Sequence, residues 1–290
     1  MKTFIFIAIL CIIIFAVPSS ADYGCYCGIV SYGDNLIHSR YPWFVQIGHV
    51  INENELTIER CGGSLFTDKH ILTSADCVVK EIKEKQVVIK EKLKVVIGAE
   101  TAVDFDFSNS VQIKEYIIHP NYIPGKLYNN IAIIKLKHKI EFINGLNPVC
   151  LPDFEDLDNL FVYGYGGQEE PVLIKEMNDL QVISGEECES YFDQNSFNKT
   201  LTMCTVSEDS LGSADQRDPL STKKDSQVYQ VGVATIISPN QLFPSGFEKV
   251  SEHKEWIKDN TRDGLYCEGK HHPFFKPEHV LQTMIDNWVY

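Results

Sequence analysis

Nine short runs rich in β-branched and aromatic residues recur along the chain: "WFVQIGHV", "KHILTSA", "QVVIK", "LKVVIGAE", "VQIKEYIIH", "IAIIKLK", "LFVYGYG", "LIKEMNDLQVI" and "YQVGVATII". Gly, Pro, Asn and Asp turns separate them, and a chain punctuated in this way is expected to fold as an all-β barrel or sandwich. Helical signal is confined to 251–260, where Ser251 precedes acids in the first turn, and to the stretch from Pro277 onward. At 290 residues with 44% apolar content, the chain can bury the core of one large β domain or two small ones.

The first 21 residues carry Lys2, an apolar run from Phe4 to Val17, and then "PSSA". This is the pattern of a secretory leader, with cleavage expected after Ala21. The run falls short of the roughly 20 apolar residues that span a bilayer, and no later stretch approaches that length, so no membrane partner is expected. Losing the leader removes one Lys and no acid, which takes the formal charge from −14 to −15, with 25 basic against 40 acidic residues. Such a surface argues against nucleic acid or anionic lipid as a partner. Eight cysteines then remain, at 25, 27, 61, 77, 150, 188, 204 and 267. An even number in an exported chain predicts four disulfides, not a metal site or a catalytic thiol, and no cofactor is expected.

Two segments depart from their surroundings. Residues 80–94 hold six lysines and three glutamates in an acidic protein, which reads as a solvated hairpin or, alternatively, as a docking patch. In the tail, Val280, Leu281, Met284, Ile285 and Trp288 fall at helical spacing, giving one apolar face that either packs back on the domain or binds a partner.

"YPWFVQI", "CGGSLFTDKHILTSADCV", "IIHPNY", "YNNIAIIKLK", "NPVCLP", "VYGYG" and "EWI" occur in one order between about residues 30 and 258. In order and spacing they resemble the chymotrypsin-like (trypsin-family) serine proteases. The resemblance implies two packed six-stranded Greek-key β-barrels with a C-terminal helix. It divides the chain into a leader (1–21), a short segment without a basic activation site (22–29), a peptidase-like domain (30–260) and a C-terminal extension (261–290).

In that family a hydroxyl attacks, an imidazole takes its proton and a carboxylate orients the imidazole. Here Asp76 in "SADC" stands where the family has His, Asn130 in "NNIAII" stands where it has Asp, and Gln216 in "ADQRDPL" stands on the serine. A glutamine amide is not a nucleophile, and losing the nucleophile of a triad enzyme costs on the order of 10⁶ in turnover. Arg217 and Asp218 replace the two glycines after the serine, and Ala214 replaces the glycine of the oxyanion hole. Asp215 keeps the position of the aspartate that, in active members, receives the newly cut N-terminus. "CGIVSYGDN" offers no basic residue before Ile29 or Val30, so Asp215 is expected to find Arg217, water or loop amides instead. By the same alignment the pocket base is Ser210, Gly212 replaces the pocket cysteine, and Ile236 and Ile237 replace the Trp and Gly at its entrance, with Ile237 expected to block it.

The resemblance also pairs Cys61 with Cys77 and Cys188 with Cys204, and joins Cys150 to Cys25 or Cys27. Whichever of Cys25 and Cys27 is left over then falls to Cys267. Asn198, in "NKT", is a glycosylation sequon. The function implied is that of a secreted, catalytically inactive homologue that binds proteins. Such a chain would act as a regulator or decoy in immune, complement or clotting cascades, or as a host-interfering factor. The alternatives are a hydrolase with a relocated catalytic group and a toxin or carrier scaffold.

Overall fold

The structure, a computed structural model, describes residues 25–30, 40–52, 57–83, 86–98, 109–165, 174–193, 195–207, 217–238 and 243–269. The expected leader and the tail helix from Pro277 lie outside the described residues. The first sheet is built from β1 (Phe44–Asn52), β2 (Thr57–Leu65) and β3 (His70–Thr73). The helical turn α1 (Ala75–Val78) comes next, followed by the hairpin of β4 (Val79–Lys83) and β5 (Gln86–Ile89). Then come β6 (Leu93–Ile97), β7 (Ile113–Ile118) and β8 (Ala132–Leu136). The antiparallel order is β6-β1-β2-β3-β8-β7. The Val111 N–H donates to the Val95 carbonyl at 2.9 Å, linking the stretch ahead of β7 to β6. β7 is irregular between Ile113 and Glu115, and a bulge of this kind turns an edge out of register. The sheet therefore curls into a half-barrel. The basic stretch 80–94 forms the β4–β5 hairpin and leads into β6.

The second sheet closes completely. It comprises β9 (Leu160–Tyr165), β10 (Ile174–Ile183), β11 (Thr202–Val206), β12 (Pro219–Lys224), β13 (Gln227–Ile236) and β14 (Ser245–Lys249). They run in the cyclic order β10-β11-β14-β13-β12-β9. A short helix, α2 (Gly185–Glu189), joins β10 to β11, capped by Ser184, whose side chain accepts from the Glu187 N–H. The C-terminal helical region differs from expectation at its start. Val250–His253 is a 3₁₀ turn, and α3 (Lys254–Asn260) begins after it with His253 at the N-cap and no side-chain cap. Ser251 lies inside the 3₁₀ turn, so it cannot cap the α-helix. Among the described residues no helix is long and apolar enough to cross a membrane.

Aromatic side chains join the two sheets. Trp43 Nε1 donates to Tyr163 Oη at 2.6 Å, and the Tyr41 ring stacks on Tyr163 with centroids 4.2 Å apart. Phe44 and Phe161 complete the cluster. Burying the Tyr and Trp polar atoms costs little here because each meets a partner.

Residues 261–269 run back along the first sheet. The Leu265 N–H donates to Asp68 Oδ1 at 2.8 Å. Asp263 accepts from Lys135 Nζ at 2.9 Å and Lys69 Nζ at 3.2 Å, and lies 3.5 Å from buried His70 Nε2. Burial works against ionisation of Asp263, yet the two lysine hydrogen bonds pull its carboxyl down to about 2. A Cβ on Gly264 would fall 2.6 Å from both His70 Nδ1 and Thr67 Oγ1, so only glycine permits this approach. The segment ends at the Cys25–Cys267 disulfide and a parallel bridge between Tyr26 and Glu268. The other bonds are Cys27–Cys150, Cys61–Cys77 and Cys188–Cys204. This settles the choice left open by the sequence: Cys27 takes Cys150, and Cys25 takes Cys267.

Candidate functional site

The cleft residues are positioned by the first sheet and by the start of β12. β3 ends at Thr73, whose hydroxyl donates to the Gly62 carbonyl at 2.8 Å. The chain then makes the single turn of α1, anchored by Cys61–Cys77 and by the buried Ser74 hydroxyl, which donates to Cys77 Sγ at 3.0 Å. Asp76 projects from this turn. Its backbone N–H donates to Asn130 Oδ1 at 3.0 Å, so two of the three positions singled out by the sequence are in direct contact. Gln216, with Ser210, Ala214 and Asp215, lies outside the described residues.

Arg217, which the sequence places beside Asp215, also reaches Asp76. Its backbone is left-handed (φ 71°), and its Nε lies 2.9 Å from Asp76 Oδ2. Asp215, expected to draw on Arg217, water or loop amides, lies outside the described residues; within them the guanidinium meets Asp76. About a quarter of each side chain stays exposed. Tyr122 is buried beside the pair. Burial chiefly, then the Asp76 carboxylate, pushes its hydroxyl up to about 12, and Arg217 opposes the shift.

Asp218 is 4% exposed and occupies a slot between the two sheets. The slot exists because two glycines face it. A Cβ on Gly62 of β2 would meet Asp218 Oδ1 at 2.1 Å, and one on Gly164 of β9 would meet Oδ2 at 1.6 Å. Its charge adds to burial in raising the Tyr163 hydroxyl.

Behind Asn130 lies a second pair that spacing did not reveal. Asn129 is buried with left-handed φ (56°), and its N–H donates to Glu248 Oε1 at 2.7 Å. The same oxygen lies 2.5 Å from His253 Nε2, and both side chains are almost wholly buried. Burial raises the Glu248 carboxyl, and His253 and the Asn129 amide offset only part of that. His119 packs edge-on against both His253 and Trp256. A glutamate inside "SGFEKV" was the available sequence signal, since the residues around it are otherwise those of a buried strand.

At the entrance of the expected pocket, Ile236 is 38% exposed, whereas Ile237 is buried in the apolar cluster of the second barrel. Asn198 is half-buried, and its Oδ1 accepts from the Thr200 N–H at 3.0 Å. Among the described residues no three His, Cys, Asp or Glu side chains are grouped to hold a metal ion.

Residues 29–257 match the family model described as trypsin. The chain is similar to phenoloxidase-activating factor 1 of Holotrichia diomphalia, at 27% identity over 84% of this chain and 73% of that protein. It is also similar to CLIP domain-containing serine protease B10 of Anopheles gambiae, at 26% identity over 81% of this chain and 72% of that protein. It is similar as well to clotting factor C of Tachypleus tridentatus, at 25% identity over 78% of this chain and 25% of that protein. The closed barrel and the half-barrel both lie within that match: this chain belongs to the trypsin family of serine proteases.

Proposed function

We propose that this chain is a secreted, catalytically inactive member of the trypsin family that acts by binding proteins, as a regulator or decoy in a proteolytic cascade. The observation that carries the reading is the Asp76–Arg217 pair. An imidazole relays a proton because one nitrogen faces the nucleophile while the other is held by a carboxylate. Asp76 has neither nitrogen, its carboxylate faces a guanidinium that does not give up its proton, and Asn130 holds the Asp76 backbone instead of a ring. Gln216 supplies no hydroxyl for attack.

The cascade role draws on the names of the relatives, which include an activating factor of phenoloxidase and a clotting factor. The Ala21 cleavage site and Asn198 as a glycan acceptor belong to the same reading, since both require export. Lack of a basic residue ahead of Ile29 fits a domain that needs no activating cut; the Ile29 N–H donates to Asn147 Oδ1 at 2.9 Å.

Fluorophosphonate labelling and a peptide-library assay on the purified protein test the reading, with neither labelling nor cleavage expected. Labelling that disappears when one serine is mutated would overturn it in favour of a relocated hydrolase. The triple variant Asp76→His, Asn130→Asp, Gln216→Ser is also expected to stay inactive, because Arg217 and Asp218 remain in the loop. Capture of a cascade component from haemolymph or plasma by the wild-type protein would then identify the partner.

A further inference from the structure

Four large apolar side chains, Tyr26, Ile29, Ile143 and Leu265, are each between 44% and 58% exposed, and the segments that carry them adjoin one another. Asp68 joins two of these segments: its N–H donates to the Leu265 carbonyl at 3.3 Å, and its carbonyl accepts from the Ile140 N–H at 2.7 Å. Asn147 joins two more. Its Oδ1 accepts from the Ile29 N–H at 2.9 Å, and its Nδ2 donates to the Ile29 and Gly145 carbonyls at 2.9 and 3.1 Å. The parallel bridge of Tyr26 with Glu268 closes the circuit. We propose that this face pairs with the same face of a second copy of this chain in a two-fold dimer. It lies on segments other than those that carry Asp76, Asn130 and Arg217, so it does not depend on whether the cleft is catalytic.

The face is held in shape before any partner arrives. Ile143 opens a tight turn in which the Leu146 N–H donates to the Ile143 carbonyl at 3.0 Å, with Asn144 and Gly145 both left-handed (φ 54° and 88°). That is the geometry of a two-residue hairpin loop. The Cys25–Cys267 and Cys27–Cys150 bonds fix the segments beside it. A preorganised surface loses less freedom on association, and large apolar side chains grouped in water mark an interaction site.

Charge selects the occupant. Residues 25–29, 68–69, 135–147 and 263–268 carry four lysines and four acids in a chain of formal charge −14, so the excess that repels like copies lies elsewhere. The two signs are also set apart along the face. Lys139, with 67% of its side chain exposed, stands at the Leu265 end, where its Nζ lies 3.5 Å from Asp68 Oδ2; an ammonium has three donors, so one such contact leaves others for a partner. Exposed Glu268 stands at the Tyr26 end. A two-fold axis between the ends brings Lys139 of each copy to Glu268 of the other. The surface is thus complementary to itself, as an isologous interface requires.

Sedimentation velocity of the purified protein across a dilution series tests this. A monomer–dimer equilibrium is expected, with the dissociation constant raised about tenfold by Ile143→Asp or by Tyr26→Ser. Lys139→Glu or Glu268→Lys alone should raise it about threefold. Combining the two reversals should return it to near the wild-type value, because each ion pair re-forms with its signs exchanged. Near-UV circular dichroism checks that every variant is folded, and the readout is separate from labelling of the cleft. A protein that stays monomeric at every soluble concentration, a dimer that folded Ile143→Asp and Tyr26→Ser leave intact, or a double reversal no tighter than the single ones would each overturn the proposal.

Discussion

Asn129 and Asn130 are neighbours, yet each meets a residue of a different charged pair, Glu248 or Asp76, and the two pairs live in opposite surroundings. Asp76 and Arg217 meet with about a quarter of each side chain in solvent. Glu248 and His253 meet with 0% and 3% exposed. The buried pair fixes a left-handed backbone residue through the Asn129 N–H, and its members have no water to fall back on. The cleft pair is a surface feature with a buried edge, held by a loop that can be altered with less consequence for the fold. Burial sets what each pair does: the inner pair specifies the shape of the Asn129–Asn130 bend, and the outer pair decides what that bend presents.

The contrast is most sharply tested at the inner pair. Replacing His253 with Phe leaves the Glu248 carboxylate in a dry site, and unfolding free energy is expected to fall by about 3–5 kcal/mol, measured by urea denaturation. A smaller loss would mean that water reaches Glu248.

Acid should weaken the fold through two other histidines. Burial, opposed by the Asp263 carboxylate, lowers His70 to about 4, and burial aided by His253 lowers His119 to about 4. The unfolded chain takes up these protons near 6.5 while the folded one refuses them. Stability is therefore complete above about 6.5 and is lost as pH falls towards 4. Thermal midpoints measured across that window should drop in the wild type and drop less in His119→Phe.

Gly164→Ala places a methyl group on the Asp218 carboxylate, with an expected cost of about 1–3 kcal/mol. Adding Asp218→Gly should restore most of it, and failure to do so in a double-mutant cycle would mean that the slot is not shaped by this contact. The smallest effect is expected for Arg217→Ala, about 0–1 kcal/mol in the same denaturation assay. A loss as large as that of His253→Phe would abolish the distinction between the two pairs.

Much of the architecture was legible because strands and turns are local. Alternating β-branched runs, the "CGGSL" and "NPVCLP" segments and the cysteine count lead to the fold and its disulfides. What stayed hidden depends on contacts between distant segments. Asp76 and Arg217 are 141 positions apart, and nothing in "QRDPL" announces a left-handed Arg217 that turns its side chain towards α1. The space for Asp218 was equally hidden, since it comes from glycines on two other strands. The Ser251 cap failed for a local reason: the helix begins with a tighter 3₁₀ turn, which moves the N-cap to His253.

The Cys25–Cys267 bond encloses 242 positions of sequence, and Cys27–Cys150 lies within it. Covalently, the described domain is a ring. A protease that cuts one exposed loop of this ring opens it without releasing a fragment, so the nicked protein keeps its mass on a non-reducing gel and separates only after reduction. For this chain, being cut and being taken apart are then different events.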